Sequence, residues 1–181
     1  MGKIIVHEFS SLDGIVEAPS WTFEYGFTDK MTAAMGALTG SASRILLGRV
    51  THEMFEPAWS VRTVEDDPGA PFFNDTTKYV VSSTMTDPTW RNTEVIGRYD
   101  AEALRKLKES TDGDLFVSGS ITLVRGMLAD GLVDELHLFV YPLALGSGLR
   151  LFPDGGPQTK LALLSSDTFE NGVLHLVYGP A

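Results

Sequence analysis

The chain has 181 residues, 43% hydrophobic and 21% charged, which is the size and make-up of one ordinary globular domain, so residues 1–181 are read as a single domain. Fourteen Lys and Arg against 24 Asp and Glu leave a formal charge of −10; so acidic a surface repels phosphodiester backbones and anionic lipid and argues against nucleic acid or a membrane as partner. The lack of cysteine excludes disulfides, thiolate nucleophiles and thiolate metal sites, and no apolar run approaches the ~20 residues of a membrane span.

Met1-Gly-Lys-Ile-Ile-Val leads straight into a strand pattern with no signal-peptide layout, so a cytoplasmic location is expected. Lys3–Phe9 is β-branched and apolar and stops at the turn signal Ser11-Leu12-Asp13-Gly14. Trp21, Phe23, Tyr25 and Phe27 then alternate between two turn regions, as either a hydrophobic plug or a lid over a flat aromatic ligand. Thr28 is a good N-cap, Asp29 sits in a first turn, and Met31, Met35 and Leu38 share one face of a helix that Gly40 closes. Arg44–Leu47 is a short buried strand that passes through Gly48 into a helix from Val50 to about Glu56. Val64–Pro71, rich in acid and proline, reads as a surface loop.

Lys78–Ser82 and Thr93–Ile96 are the next strands, and Asp100 caps a helix through Glu109. Leu115–Ser118 turns at Gly119-Ser120 into a helix with a buried stripe of Leu123, Val124, Met127 and Leu128. Val133–Tyr141 is a long strand, and Leu161–Tyr178 is a hairpin turning at Asn171-Gly172. About eight strands and four helices, mostly alternating, predict an α/β fold with a mixed, mostly parallel sheet and an antiparallel C-terminal hairpin.

Two strand-to-helix turns carry the strongest chemical signal. In Gly48-Arg49-Val50-Thr51 the glycine allows close backbone approach, the helix start offers free amides to an anion, and Arg49 and Thr51 add a guanidinium and a hydroxyl. Gly119-Ser120-Ile121-Thr122 repeats the arrangement. In a parallel sheet both turns fall at the carboxyl edge where ligands bind. Ser82-Ser83-Thr84 ends a strand at the same edge, either satisfying local backbone groups or bonding a cofactor's ribose or phosphate. His7, His52, His137 and His175 show no ligand spacing, so no metal site is expected. No G-x-S-x-G occurs for a serine nucleophile.

The order of Ser11-Leu12-Asp13-Gly14, Leu47-Gly48-Arg49-x-Thr51, Ser82-Ser83-Thr84 and Gly119-Ser120 resembles the dihydrofolate reductase fold. The closing segments sharpen this: Leu132-Val133-Asp134-Glu135-Leu136, Pro142, and Leu145-Gly146-Ser147-Gly148-x-Arg150-Leu151-Phe152. They resemble the group that holds the reductase domain of the bifunctional riboflavin-biosynthesis deaminase–reductase, in stand-alone form and over nearly the whole chain. The resemblance implies a three-layer sandwich, a homodimer, and an NADPH-dependent reductase acting on a small heterocyclic substrate. Riboflavin-pathway reduction of 5-amino-6-(5-phosphoribosylamino)uracil is one such reaction. A pterin- or dihydrofolate-type reductase and a dinucleotide-binding protein without turnover are the alternatives.

Carried over, Gly48, Arg49 and Thr51 hold the pyrophosphate and a nearby phosphate, and Ser82, Ser83 and Thr84 line the adenosine end. Gly119, Ser120, Ile121 and Thr122 pass beneath the pyrophosphate and nicotinamide. Asp29 is the first candidate for proton delivery, with Asp13 behind it; Trp21, Glu24, Phe55 and Trp59 are the candidate substrate contacts. The chain departs from the folate enzymes in carrying Ser120 for the second glycine of the Gly-Gly turn, and Thr76-Thr77-Lys78 where they carry an arginine. Lys78 can replace that arginine as a charge but not as a bidentate fork, which disfavours folate as substrate.

Overall fold

The computed structural model describes residues 2–181. One sheet contains β1 (Ile4–Ser11), β2 (Ala42–Gly48), β3 (Thr77–Val81), β4 (Thr93–Val95), β5 (Asp114–Ser118), β6 (Glu135–Tyr141), β7 (Leu161–Thr168) and β8 (Leu174–Pro180). Their order is β4-β3-β2-β5-β1-β6-β8-β7. The first six run parallel, and β8 lies antiparallel between β6 and β7. The connections between the parallel strands account for the helices: α1 (Asp29–Ser41), α2 (Arg49–Trp59), α3 (Ala70–Asp75), α4 (Ala101–Ser110) and α5 (Ile121–Ala129). A 3-10 turn spans Ser20–Glu24. No helix among the described residues is long and apolar enough to cross a membrane.

Strand alternation divides the core between the two faces of the sheet. Leu115 and Val117 of β5, with Ile4 and Val6 of β1, pack against Leu104 of α4 and Leu123, Val124 and Met127 of α5. Phe116 and Ile5 point the other way, toward Met31 and Leu38 of α1, Phe55 and Trp59 of α2, and Phe73 of α3. The result is the three-layer sandwich. Each fully buried aliphatic or aromatic side chain contributes roughly 1.5–3 kcal/mol, and the central strands β1, β2 and β5 supply many of them.

The structure adds one helix to the expected four. Helix α3 begins inside the stretch read as a surface loop. At six residues with Pro at its start it is too short to show a period, and burial of Phe73 and Asn74 holds it in place. Gly40 does not end α1, which continues through Ser41 directly into β2. The strand read from Val133 begins at Glu135. Thr28 and Asp100 do cap α1 and α4: their side chains accept from Met31 N and from Glu102 and Ala103 N. The closing hairpin turns at Asn171-Gly172, with Gly172 at φ +81°.

Candidate active site

Because β1 to β5 are parallel and adjacent, their carboxyl ends meet along one edge of the sheet, and a cleft of about 890 Å3 opens there. Gly48, Arg49, Thr51 and Phe55 line it from the β2–α2 corner, and Gly119, Ser120, Ile121 and Thr122 from the β5–α5 corner. Ser82, Ser83 and Thr84 line it from the end of β3. All ten residues singled out at the three polar turns therefore face one cavity. The two corners touch: the Gly48 amide donates to Ser120 Oγ at 2.7 Å. Ser120 holds this position in a left-handed conformation, φ +67°, beside Gly119 at φ +60°. That conformation is costly for a serine.

Helix capping sets α2 and α5 apart from α1 and α4, while the six-residue α3, away from the cleft, also starts without a side-chain cap. Both α1 and α4 start at a side-chain cap, whereas α2 and α5, which start at the cleft, have none. Their first-turn amides and positive dipole ends are thus left facing the cavity. Arg49 stands at the start of α2 and presently pairs with Glu53, at 2.9 and 2.7 Å to its two oxygens, on an exposed helix face. Ser82 Oγ is engaged locally, accepting from Thr84 N at 3.1 Å and Met85 N at 2.9 Å.

The floor of the cleft holds residues the sequence reading passed over. His7, Glu8 and Phe9 of β1 line it, as do Arg98 and Tyr99 beyond β4. His7 is buried; its Nδ1 lies 3.3 Å from Ser118 Oγ, and its Nε2 has no partner among the described residues. Burial, then the neighbouring His137 and His175, lowers its pKa to about 3, so the imidazole is neutral. Glu8 is 2% exposed, its Oε1 has no partner among the described residues, and burial pushes its pKa up to about 8. The available signal was an adjacent polar pair inside an otherwise apolar strand, since central parallel strands are normally apolar throughout. For Arg98, the signal was that Gly97-Arg98 after β4 repeats Gly48-Arg49 after β2.

The remaining candidates lie outside the cavity lining. Asp29 is exposed in the first turn of α1, and Glu24 is exposed in the 3-10 turn. Trp21 packs edge-on against Tyr141 at 5.2 Å, and Trp59 stacks on Phe73 at 4.2 Å. Lys78 points away from the cleft, into the carbonyls of Phe73 and Thr76, so it is not the substitute tail-binding charge.

Asp13 joins the two most specific motifs. Its carboxylate accepts from Ser11 Oγ at 2.6 Å, Leu145 N at 3.1 Å and Gly146 N at 2.7 Å, and its carbonyl accepts from Arg150 Nε at 2.9 Å. Ser11-Leu12-Asp13-Gly14 and Leu145-Gly146-Ser147-Gly148 therefore clamp one another, which fixes the loop at 16–19 along the cleft rim. The Ser11 hydroxyl, then the two amides, hold the Asp13 carboxyl down at about 2. Because the folded value is depressed, this stabilisation is present above the ordinary aspartate range and is lost as pH falls toward 2. Asp13→Ala is expected to lower Tm at neutral pH and to leave a smaller gap from wild type near pH 2, by thermal unfolding at the two pH values.

Comparison with known proteins agrees with the fold. The chain is 27% identical to Uncharacterized protein YyaP of Bacillus subtilis (strain 168), over 97% of this chain and 94% of that one. A putative riboflavin biosynthesis protein from Shewanella sp. PV-4 superposes with a TM-score of 0.81 at 18% identity, covering 100% of this chain and 99% of that one. The Thermotoga maritima diaminohydroxyphosphoribosylaminopyrimidine deaminase/5-amino-6-(5-phosphoribosylamino)uracil reductase superposes at 0.69 with 17% identity, 99% of this chain matching 57% of that one. The RibD C-terminal domain matches residues 2–175. With nearly its whole length covered, the chain belongs to the RibD C-terminal domain family.

Proposed function

We propose that this protein is an NADPH-dependent reductase of the riboflavin-biosynthesis type, reducing a C=N or C=O bond in a small heterocyclic or phosphoribosyl compound. The observation that carries the reading is the pair of uncapped helix N-termini, α2 and α5, opening on one cleft beside Arg49. Orphan amides, the positive ends of two helices and a guanidinium are the donor set a pyrophosphate needs. Gly119, at φ +60°, leaves the space between the corners without a side chain; a Cβ there would come into contact with Thr51 at 3.5 Å. The RibD-type neighbours support a reductase of this class.

A bound dihydronicotinamide supplies the hydride. The chain's own residues bind and orient. Gly48, Arg49, Thr51, Ile121 and Thr122 hold the pyrophosphate; Ser83, Thr84 and Arg98 surround the adenosine end. Phe9, Met54 and Phe55 form the apolar wall against which a flat substrate lies. Arg49 and Arg98, projecting from either side of the β3 end, favour a further phosphate on the ribose and so NADPH over NADH.

Calorimetry tests this directly. Wild type is expected to bind NADPH more tightly than NADH, and Arg49→Ala to weaken both, with a loss in NADPH affinity about tenfold larger than the loss in NADH affinity. Equal losses for the two would remove Arg49 from the extra phosphate. NADPH oxidation in the presence of pterins, flavin precursors and quinones then separates an enzyme from a protein that only binds the dinucleotide.

A further inference from the structure

The strand order gives the cleft a direction. The ends of β3 and β4 lie at one side, the N-termini of α2 and α5 stand over β2 and β5 in the middle, and β1 lies at the other side. A dinucleotide with its pyrophosphate at the two helices and its adenosine over β3, as proposed above, would carry its redox ring toward the end of β1. His7 and Glu8 occupy that end and, being consecutive in a strand, project to opposite faces. His7 packs on Phe116 and Phe139, toward the α1 and α2 layer. Glu8 continues the Ile4–Val6 series, toward α5, but at the strand end both faces open onto one cleft, which Glu8 lines together with Phe9, Met54 and Phe55.

No ionic partner among the described residues explains Glu8. Its register neighbour on β6 is Leu138, and the β5 strand beside it ends at Ser118, followed by Gly119. The other titratable side chains on the cleft are His7, Glu17, Arg49, Arg98 and Tyr99. Glu17 accepts from Leu149 N, Arg49 is held by Glu53, and the Tyr99 hydroxyl donates to Asp130. An unpartnered carboxyl in the interior costs the fold stability, and such groups concentrate where chemistry uses them.

Resting on the reductase reading, we propose that Glu8 is the acid of the reduction, a catalytic residue that protonates the substrate at the redox end of the cleft. As the carbon of the substrate's C=N or C=O bond takes up the hydride, Glu8 gives its proton to the heteroatom. The π bond breaks, one C–H and one N–H or O–H bond form, and the dihydronicotinamide is oxidised. Glu8 is left as a carboxylate, a state that a bound oxidised nicotinamide would favour through its positive charge, and a proton from solvent restores the acid. Burial alone keeps the carboxyl protonated at neutral pH, its pKa standing at about 8, which suits a donor working near neutrality.

The test compares wild type with Glu8→Gln, an isosteric change that introduces no charge. In the ligand-free protein, the infrared carbonyl band of a protonated carboxylic acid is expected in wild type at neutral pH and absent from the variant. Calorimetry of NADP+ and NADPH binding in buffers of differing ionisation enthalpy is expected to show wild type releasing a proton with NADP+ but not with NADPH. Glu8→Gln should release none with either, at little-changed NADPH affinity. With any acceptor that turns over, wild type is expected to lose rate above about pH 8, and Glu8→Gln to lose about a hundredfold or more in kcat together with that pH dependence. No carboxylic-acid band, unchanged proton release in the variant, or an unchanged kcat and pH profile would each overturn the assignment of Glu8. Failure of wild type to bind either dinucleotide is a separate outcome: it overturns the reductase reading and the role of Glu8 with it.

Discussion

Lys78→Ala is expected to lower the free energy of unfolding by about 3–5 kcal/mol, read by urea denaturation at neutral pH. Lys78 is fully buried, and its Nζ donates to the carbonyl of Phe73 at 2.8 Å and of Thr76 at 3.0 Å, lying 4.4 Å from the centre of the Trp90 ring. These carbonyls close the last turn of α3 and the step into β3, and alanine leaves them unpaired around a cavity. Lys78→Met fills most of the volume without the donors, so its expected loss is smaller, about 1–3 kcal/mol; the difference between the variants measures packing against hydrogen bonding.

The charge on Lys78 has its own pH signature. Burial, then the nearby Arg91, lowers its pKa from 10.5 to about 8. Between those values the unfolded chain binds the extra proton, so stability contributed here rises with pH across the window and is lost as pH falls through about 8. Lys78→Met should remove that rise. The consequence reaches the cleft, because α3 presents Phe73 to Phe55 at 5.7 Å, and Phe55 forms part of the substrate wall.

Legibility in the sequence followed the range of the interaction. Junctions such as Leu47-Gly48-Arg49 and Ser118-Gly119-Ser120 were readable because strand, glycine and helix start are local, and the parallel order then brings them to one edge. Helix α3 was not readable. Six residues carry no period, and what holds α3 is distant: Asn74 donates to the carbonyls of Trp59 and Arg62 and accepts from Trp90 Nε1. Asp13 stood in a recognisable motif, yet its partners at Leu145 and Gly146 lie 132 and 133 positions away. Glu8 was hidden differently. A carboxylate in an apolar strand reads as a strand-edge charge until the sheet order shows β1 to be central, with parallel neighbours on both sides.

Gly119→Val is expected to abolish measurable NADPH binding, a loss of at least about a hundredfold, while the protein remains folded. Two costs combine. Gly119 sits at φ +60°, a region that a β-branched residue enters only under strain. Its added side chain would also grow from a Cβ already 3.5 Å from the Thr51 side chain, into the space between the α2 and α5 N-termini. Strain by itself lowers stability without selecting a ligand, so the comparison is Gly155→Val. Gly155 has a similar φ of +73°, lies on the surface away from the cleft, and has nothing within 4 Å of an added Cβ. Both variants should unfold at lower denaturant than wild type, and only Gly119→Val should lose the dinucleotide. If the two variants lose stability alike and both bind NADPH as wild type does, the anion does not lie between the two corners, and their uncapped amides serve some other group.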